Sequence, residues 1–358
     1  MIKYTVPGIG QGCCVEQVAY LNCDKYRILY DCGSENTYAL RNYIDTIDTN
    51  ILTTLVISHL HRDHINGIPY LLDHFKKHNH EYKIEKLYLP LYSHDILTLF
   101  AMSIVATGTE ESFEEDNRLI KFIFRLENMD SSDDFGNVFH VSSHENEENQ
   151  QNRKDIISDE VYQKISESTT DVCWAIKFWV DPDVYSMLPE SDTELLRNIK
   201  PEEFDKEERH NEIKKIYLKI VNGDNNKLNM TSMLMASYFQ WDYKAEIICL
   251  THGECNCLSR FLNDGFVCTG DYPFKKNEIN KGKIIHEHYS DQQILINKMM
   301  VPHHGSGNDS CEYIPFDFIK TAYAQNGVKN RHKHPGQNTR GFLKELEIKF
   351  INRQNRIY

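Results

Sequence analysis

The chain has 358 residues, of which 40% are hydrophobic and 26% charged, with a formal net charge of −13. That length is ample for a sizeable core; no apolar run approaches the roughly 18 residues of a membrane span, and the opening MIKYTVPGIGQGCC lacks a signal-peptide pattern, so a cytoplasmic protein with no membrane association is expected. The acidity argues against a nucleic-acid glove overall, but it is unevenly placed: Glu110–Glu160 holds 15 acidic and 5 basic residues, whereas Lys329–Tyr358 holds 8 basic and 2 acidic.

Val15–Cys23 and Tyr26–Gly33 are rich in β-branched and aromatic residues, and Asp24-Lys25 between them predicts a hairpin that stops at Gly33. Thr37–Ile47 is helix-like. Leu52–Ser58 is a short continuous apolar run, the pattern of a buried strand. Helical spacing over Ile65–His78 and a strand-like Lys83–Pro90 complete a strand–helix–strand order, which suggests a sheet covered by helices. From about 93 to 227 an acidic, partly helical insertion is expected, with helices over Asn117–Glu127 and Ser191–Tyr217 and a polar loop at His144–Asp155. Strand patterning returns in Ser232–Trp241, Ala245–His252, Gly265–Gly270, Ile294–His304 and Phe318–Asn326, before the basic segment 329–358. The whole reads as one α/β domain over 1–358.

The ten cysteines are irregularly spaced and are expected as reduced thiols, most of them in the core. His252, Cys255 and Cys257 lack a second ligand pair, so they are expected as a thiol-bearing loop and not as a zinc site. His74, His78 and His80 read as solvated, His286 and His288 as an edge or loop, and Trp174, Phe178 and Trp179 as core of the insertion.

The strongest chemical signal is His59-x-His61-x-Asp63-His64, directly after the Leu52–Ser58 strand. Residues two apart on extended backbone point the same way, so His59 and His61 can face one ion. Asp63 and His64 fall where the chain turns into a helix and can face a second ion beside it. Imidazole and carboxylate suit Zn²⁺ or Mn²⁺.

Six further matches accompany this motif in order: Gly10-Gln11-Gly12, Asp31-Cys32-Gly33, Leu228-Asn229-Met230-Thr231-Ser232, Thr269-Gly270-Asp271, Val301-Pro302-His303-His304-Gly305-Ser306, and Asn330 with His334-Pro335. Together they resemble the metallo-β-lactamase superfamily, and more narrowly the branch containing the hydrolase domain of the bacterial DNA-uptake protein ComEC. The resemblance implies an αββα sandwich with two divalent metal ions, Zn²⁺ or Mn²⁺. The implied ligands are His59, His61, Asp63, His64, Asp271, His303 and His304, and the implied catalytic residues are Asp63, His303 and His334. Asp31, Asn229, Ser306, Asn330 and Lys333 would support the ligands or touch substrate. One of His303 and His304 should complete the second ion site and the other contact substrate; the sequence leaves the choice open. Simpler members of the superfamily carry another histidine where Asn229 stands here, which leaves the first ion with His59, His61 and Asp271.

The implied activity is hydrolysis of a phosphodiester, DNA or a nucleotide, by metal-activated water. Lys329, Arg331, Lys333 and Arg340 near His334 suit phosphate binding. Two other classes are carried forward: hydrolysis of a small phosphodiester, with the acidic insertion narrowing the cleft, and a non-catalytic subunit that docks a protein partner through the insertion.

Overall fold

The structure, a computed structural model, describes residues 2–21, 24–79, 84–109, 112–127, 129, 134–143, 156–159, 163–167, 172–222, 227–241, 265–274, 279–290, 296–306, 315–316, 319–327 and 333–353. Among these, two mixed sheets of seven strands each are formed. The first takes its strands in chain order: β1 (Ile2–Thr5), β2 (Val15–Leu21), β3 (Asp24–Tyr30), β4 (Leu52–Val56), β5 (Ile84–Pro90), β6 (Phe135–Ser142) and β7 (Ile156–Ser158). β1 to β3 run antiparallel, and β3 to β7 parallel. The second sheet holds β8 (Gln163–Glu167), β9 (Val172–Trp179), β10 (Leu234–Trp241), β11 (Gly265–Cys268), β12 (Ile296–Met300), β13 (Thr321–Gln325) and β14 (Lys349–Arg353). β8 to β11 are antiparallel and β11 to β14 parallel.

Alternation along the strands builds the layers. Ile28 and Tyr30 of β3, Val56 of β4 and Tyr88 of β5 point into a shared core with Trp174, Ile176 and Phe178 of β9, Met235 of β10 and Phe266 and Cys268 of β11. Their neighbours Leu29, Leu55, Leu87 and Leu89 face the other way, into a second core. That core is closed by α1 (Thr37–Ile44), α3 (Ile68–His78), α4 (His94–Thr107), α5 (Phe113–Leu126), α6 (Glu190–Arg197) and α7 (Glu207–Val221); the short α2 (Arg62–Ile65) enters it through Ile65. A third core lies outside the second sheet, where Ala236, Val267 and Met299 meet α8 (Ile279–Ser290) and α9 (Gln337–Glu345). The result is the αββα sandwich that the resemblance implies. Each buried Leu, Ile or Phe contributes about 1.5–3 kcal/mol, so a one-residue slip in any central strand would expose a whole face and is strongly disfavoured.

Several expectations are corrected. Asp24 and Lys25 are not the hairpin turn: they pair with Leu21 and Tyr20 inside the ladder. The helix expected over Ser191–Tyr217 is two, α6 and α7, separated by a 3-10 turn at Pro201–Glu203, because Pro201 lacks an N–H to continue the first. His74 is buried, with Nε2 3.1 Å from the Ile47 carbonyl. His286 and His288 lie on helix α8, where His286 Nδ1 is 2.8 Å from the Pro315 carbonyl. Within the interval 93–227, helices α4 to α7 pack on the first sheet, while β6 and β7 join that sheet and β8 and β9 the other. Trp174, Phe178 and Trp179 are indeed core, on β9. The basic segment beyond 329 supplies α9 and β14. Residues 144–155 and 245–252, with Cys255, Cys257 and His80, lie outside the described residues. Among the described residues no helix is long and apolar enough to cross a membrane, and Cys13, Cys14, Cys32 and Cys268 are free buried thiols.

Candidate metal centre

In both sheets the segments that follow parallel strands carry the chemistry, as expected where an α/β sheet presents the carboxyl ends of its strands. Asp31 follows β3, His59 to His64 follow β4, Asp271 follows β11, and His303 and His304 follow β12. The two sheets are joined at this end. The Met233 N–H donates to the Ser58 carbonyl at 2.9 Å, and Tyr30 Oη–H donates to the Met233 carbonyl at 2.8 Å.

The loop after β4 is held by backbone contacts from the two glycine motifs at the start of the chain. Cys13 N–H donates to the Asp63 carbonyl at 3.1 Å, and Cys32 N–H to the His64 carbonyl at 2.8 Å. This approach requires glycine: a Cβ on Gly33 would lie 2.4 Å from backbone atoms of Asp63 and His64. Gly12, at φ +146°, would place one 2.4 Å from the Gly33 carbonyl oxygen.

Asp31 is fully buried and organises two histidines. Its Oδ1 accepts the Ser58 N–H at 2.7 Å; its Oδ2 accepts Ser58 Oγ–H at 2.6 Å and lies 2.8 Å from His64 Nδ1. Ser58 Oγ also sits 3.0 Å from His59 Nδ1. Partners on Nδ1 leave Nε2 of both rings facing inward, the usual support for a ligating imidazole.

Asp271 lies at the centre, with its N–H donating to Ser232 Oγ at 3.2 Å. Oδ1 is 3.1 Å from His64 Nε2 and 3.8 Å from His304 Nε2. Oδ2 is 3.9 Å from His59 Nε2 and 3.8 Å from His303 Nε2. His61 Nδ1 is 2.9 Å from His59 Nε2, and Asp63 Oδ2 is 3.0 Å from His304 Nε2. Two ligand groups emerge from these contacts: His59, His64 and Asp271, and Asp63, His64 and His304. His64 Nε2 and Asp271 Oδ1 are buried and complete no directed hydrogen bond despite their 3.1 Å approach. Buried polar atoms without directed partners, in a cluster of imidazoles and carboxylates only, fit divalent cations.

The electrostatics suit ligation at His59 and His61. Burial holds the His59 pKa well below the ordinary histidine range, with His64 and His61 adding to the shift, and burial pushes His61 down to about 4. Both are therefore neutral at pH 7, the form that ligates. Burial also opposes protonation of His64, but Asp271 and Asp31 outweigh it and raise its pKa well above the usual value. For Asp271, burial favours the neutral acid, yet the charges of His64, His303 and His304 keep it a carboxylate.

The structure brings together His59, His61, Asp63, His64, Asp271, His303 and His304, with Asp31 and Asn229 against them. His334 is at the rim, its ring centroid 5.9 Å from that of His303. Lys333 is exposed beside it with φ 57°. Ser306 sits in the buried turn after the histidines, where its carbonyl accepts Thr339 Oγ1–H at 2.9 Å. Asn330 lies outside the described residues.

Three neighbours escaped the sequence reading. Ser58 begins the motif itself, but nothing in its position announced the contact with Asp31. Cys13 has its thiol grouped with Asp31 and His64. Phe100 of α4 meets the His61 ring edge to face at 5.4 Å; its helix gave no periodic signal.

Asp31→Asn tests the support. Asparagine tolerates the positive φ of 53° found here, but its amide cannot serve both Ser58 and His64 as acceptor. Metal affinity is expected to fall about 10–100-fold with the fold intact, as measured by calorimetric titration with Mn²⁺ beside circular dichroism.

No curated protein sequence matches the chain. A family described as Anti-Pycsar protein Apyc1 matches residues 8–148. Similar solved structures include the metallo-β-lactamase fold protein YhfI from Bacillus subtilis, at 11% identity and TM-score 0.40, covering 99% of this chain and 96% of that one. The short form of human tRNase Z is similar at 13% identity and TM-score 0.34, covering 84% and 76%. A long-form RNase Z from yeast has 12% identity and TM-score 0.36, covering 98% of this chain and 40% of that one. The family similarity thus spans Asp31 and His59 to His64, and the other half of the centre, Asp271 with His303 and His304, lies beyond it.

Proposed function

We propose that the chain is a metal-dependent phosphodiesterase of the metallo-β-lactamase superfamily, acting on DNA or nucleotides. The observation that carries this reading is the single buried carboxylate of Asp271, whose two oxygens face separate sets of imidazoles. His59, His61, Asp63, His64, Asp271 and His304 would hold two divalent ions. When bound, such ions make a water acidic enough to ionise near neutrality and neutralise charge on phosphoryl oxygens. Asp31 and Ser58 keep the His59 and His64 rings aligned. Asp63, 24% exposed, and His334 at the rim would take up and return protons. The motifs shared with the ComEC-type hydrolase domain support a nucleic-acid or nucleotide substrate.

A second reading, a small phosphodiester, rests on α5. Its first turn carries Glu114, Glu115 and Asp116, and Asp116 holds Arg62, the neighbour of Asp63, at 2.8 Å. Arg62 offsets Asp116 there, but the 15 acidic against 5 basic residues between Glu110 and Glu160 would still disfavour a long polyanion.

The test uses metal-stripped protein resupplied with Mn²⁺, Zn²⁺ or Mg²⁺, beside an Asp63→Ala/His64→Ala variant. End-labelled single- and double-stranded DNA are expected to be cleaved with one ion and not by the variant. Hydrolysis of bis(p-nitrophenyl) phosphate and a cyclic nucleotide without DNA cleavage would select the second reading. Inactivity on all substrates would refute both.

A further inference from the structure

We propose that His303 is the third imidazole of the first ion site, in place of the histidine that Asn229 replaces, and that Asn229 orients it. This rests on the two-ion reading above. Without His303 that site has His59, His61 and one oxygen of Asp271, since His64, although grouped with His59 and Asp271, is turned to the other oxygen at 3.1 Å. The structure supplies a further nitrogen against that same carboxylate oxygen. His303 Nε2 and His59 Nε2 approach the same oxygen, Oδ2, at 3.8 and 3.9 Å, whereas His64 and His304 approach Oδ1. The two adjacent histidines therefore serve opposite sides of one carboxylate: His304 joins Asp63 and His64, and His303 joins His59 and His61.

Neighbouring residues reach opposite sides because of their backbone. His303 and His304 both occupy the left-handed region, at φ 47° and 52°. For non-glycine residues this costs on the order of 1–3 kcal/mol each. The turn is fixed on both flanks: His303 N–H donates to the Gly270 carbonyl at 3.1 Å, next to Asp271, and Ser306 N–H to the His303 carbonyl at 2.8 Å. The bond to Gly270 ties the position of His303 to that of the carboxylate it faces.

Asn229 is in reach of the far side of the ring, its amide nitrogen Nδ2 3.4 Å from His303 Nδ1. An imidazole that ligates through Nε2 carries its proton on Nδ1. The amide must therefore present its oxygen there, which requires a half-turn of the side chain that exchanges Nδ2 for Oδ1. Asn229 thus becomes a positioning residue. His334 lies 5.9 Å from His303 between ring centroids, at the rim.

The experiment measures metal content and affinity, independently of turnover. Wild type, His303→Gly, Asn229→Ala and Asn229→Asp are stripped, titrated calorimetrically with Mn²⁺ and with Zn²⁺, and assayed by elemental analysis after desalting. Glycine removes the ring and relieves the left-handed strain, so His303→Gly is expected to fold, as checked by circular dichroism. It is expected to lose one bound ion, or bind it at least about tenfold more weakly. Asn229→Ala is expected to weaken the same ion about 10–100-fold, and Asn229→Asp, which retains the acceptor, to restore it. Unchanged stoichiometry and affinity in His303→Gly would overturn the assignment while leaving the two-ion reading standing. Equal losses in Asn229→Ala and Asn229→Asp would overturn the orienting role. No bound ion in wild type would overturn the two-ion reading and this assignment together.

Discussion

Replacing Asp271 with alanine is expected to lower hydrolysis of bis(p-nitrophenyl) phosphate by at least about a thousandfold and to abolish stoichiometric binding of both ions. No other described carboxylate faces both sets of imidazoles. Its loss would also remove a carboxylate within 4 Å of His64, His303 and His304, leaving Asp31 beside His64 and Asp63 beside His304. Asp271→Asn separates the effects. It keeps the shape and one oxygen but not the charge, so it should fold normally and still lose tight binding at one side. Turnover and metal content near wild type in Asp271→Ala would sink both the shared-carboxylate geometry and the proposed activity.

The second large effect concerns backbone. Gly33→Ala is expected to lower stability by about 3 kcal/mol, a fall in Tm of roughly 4 °C for a chain of this length. The added carbon would meet backbone atoms of Asp63 and His64 at 2.4 Å, and neither side can yield cheaply. One is anchored by the Cys32 and Cys13 hydrogen bonds and the other follows β3. Because Asp63 and His64 must shift, Mn²⁺ affinity should fall with Tm. Gly341→Ala on α9 is the control: nothing lies within 4 Å of its Cβ position, and alanine improves helix propensity. Differential scanning calorimetry of both variants checks this; a Gly33→Ala transition as high as that of wild type would contradict the close approach.

Much of this centre was legible because it is local. His59 to His64 follow one strand, and alternation there shows which rings share a direction. The motif order further along the chain located Asp271 and the two adjacent histidines. What sequence spacing could not show is how His303 and His304 are turned, since that depends on two left-handed backbone angles that neighbouring non-glycine residues rarely adopt. Helix α4 was missed for a different reason. Ile96 to Val105 are buried without a break, so no polar face exists to reveal a period. Strands β6 to β9 are obscured in the sequence because polar and acidic residues surround them. His74 looked solvated beside Lys76 and Lys77, yet it turns inward from α3 toward the Ile47 carbonyl.

The arrangement of ligands across the sandwich has a mechanical consequence. One sheet supplies His59, His61, Asp63 and His64; the other supplies Asp271, His303 and His304. Bound cations would rivet the two sheets at their shared edge, and the spacing of the sheets would in turn set the span between donors. Coordination and interlayer slip are then one degree of freedom. A displacement too small to disturb either sheet internally would part the donors, and each ion held would resist that shear.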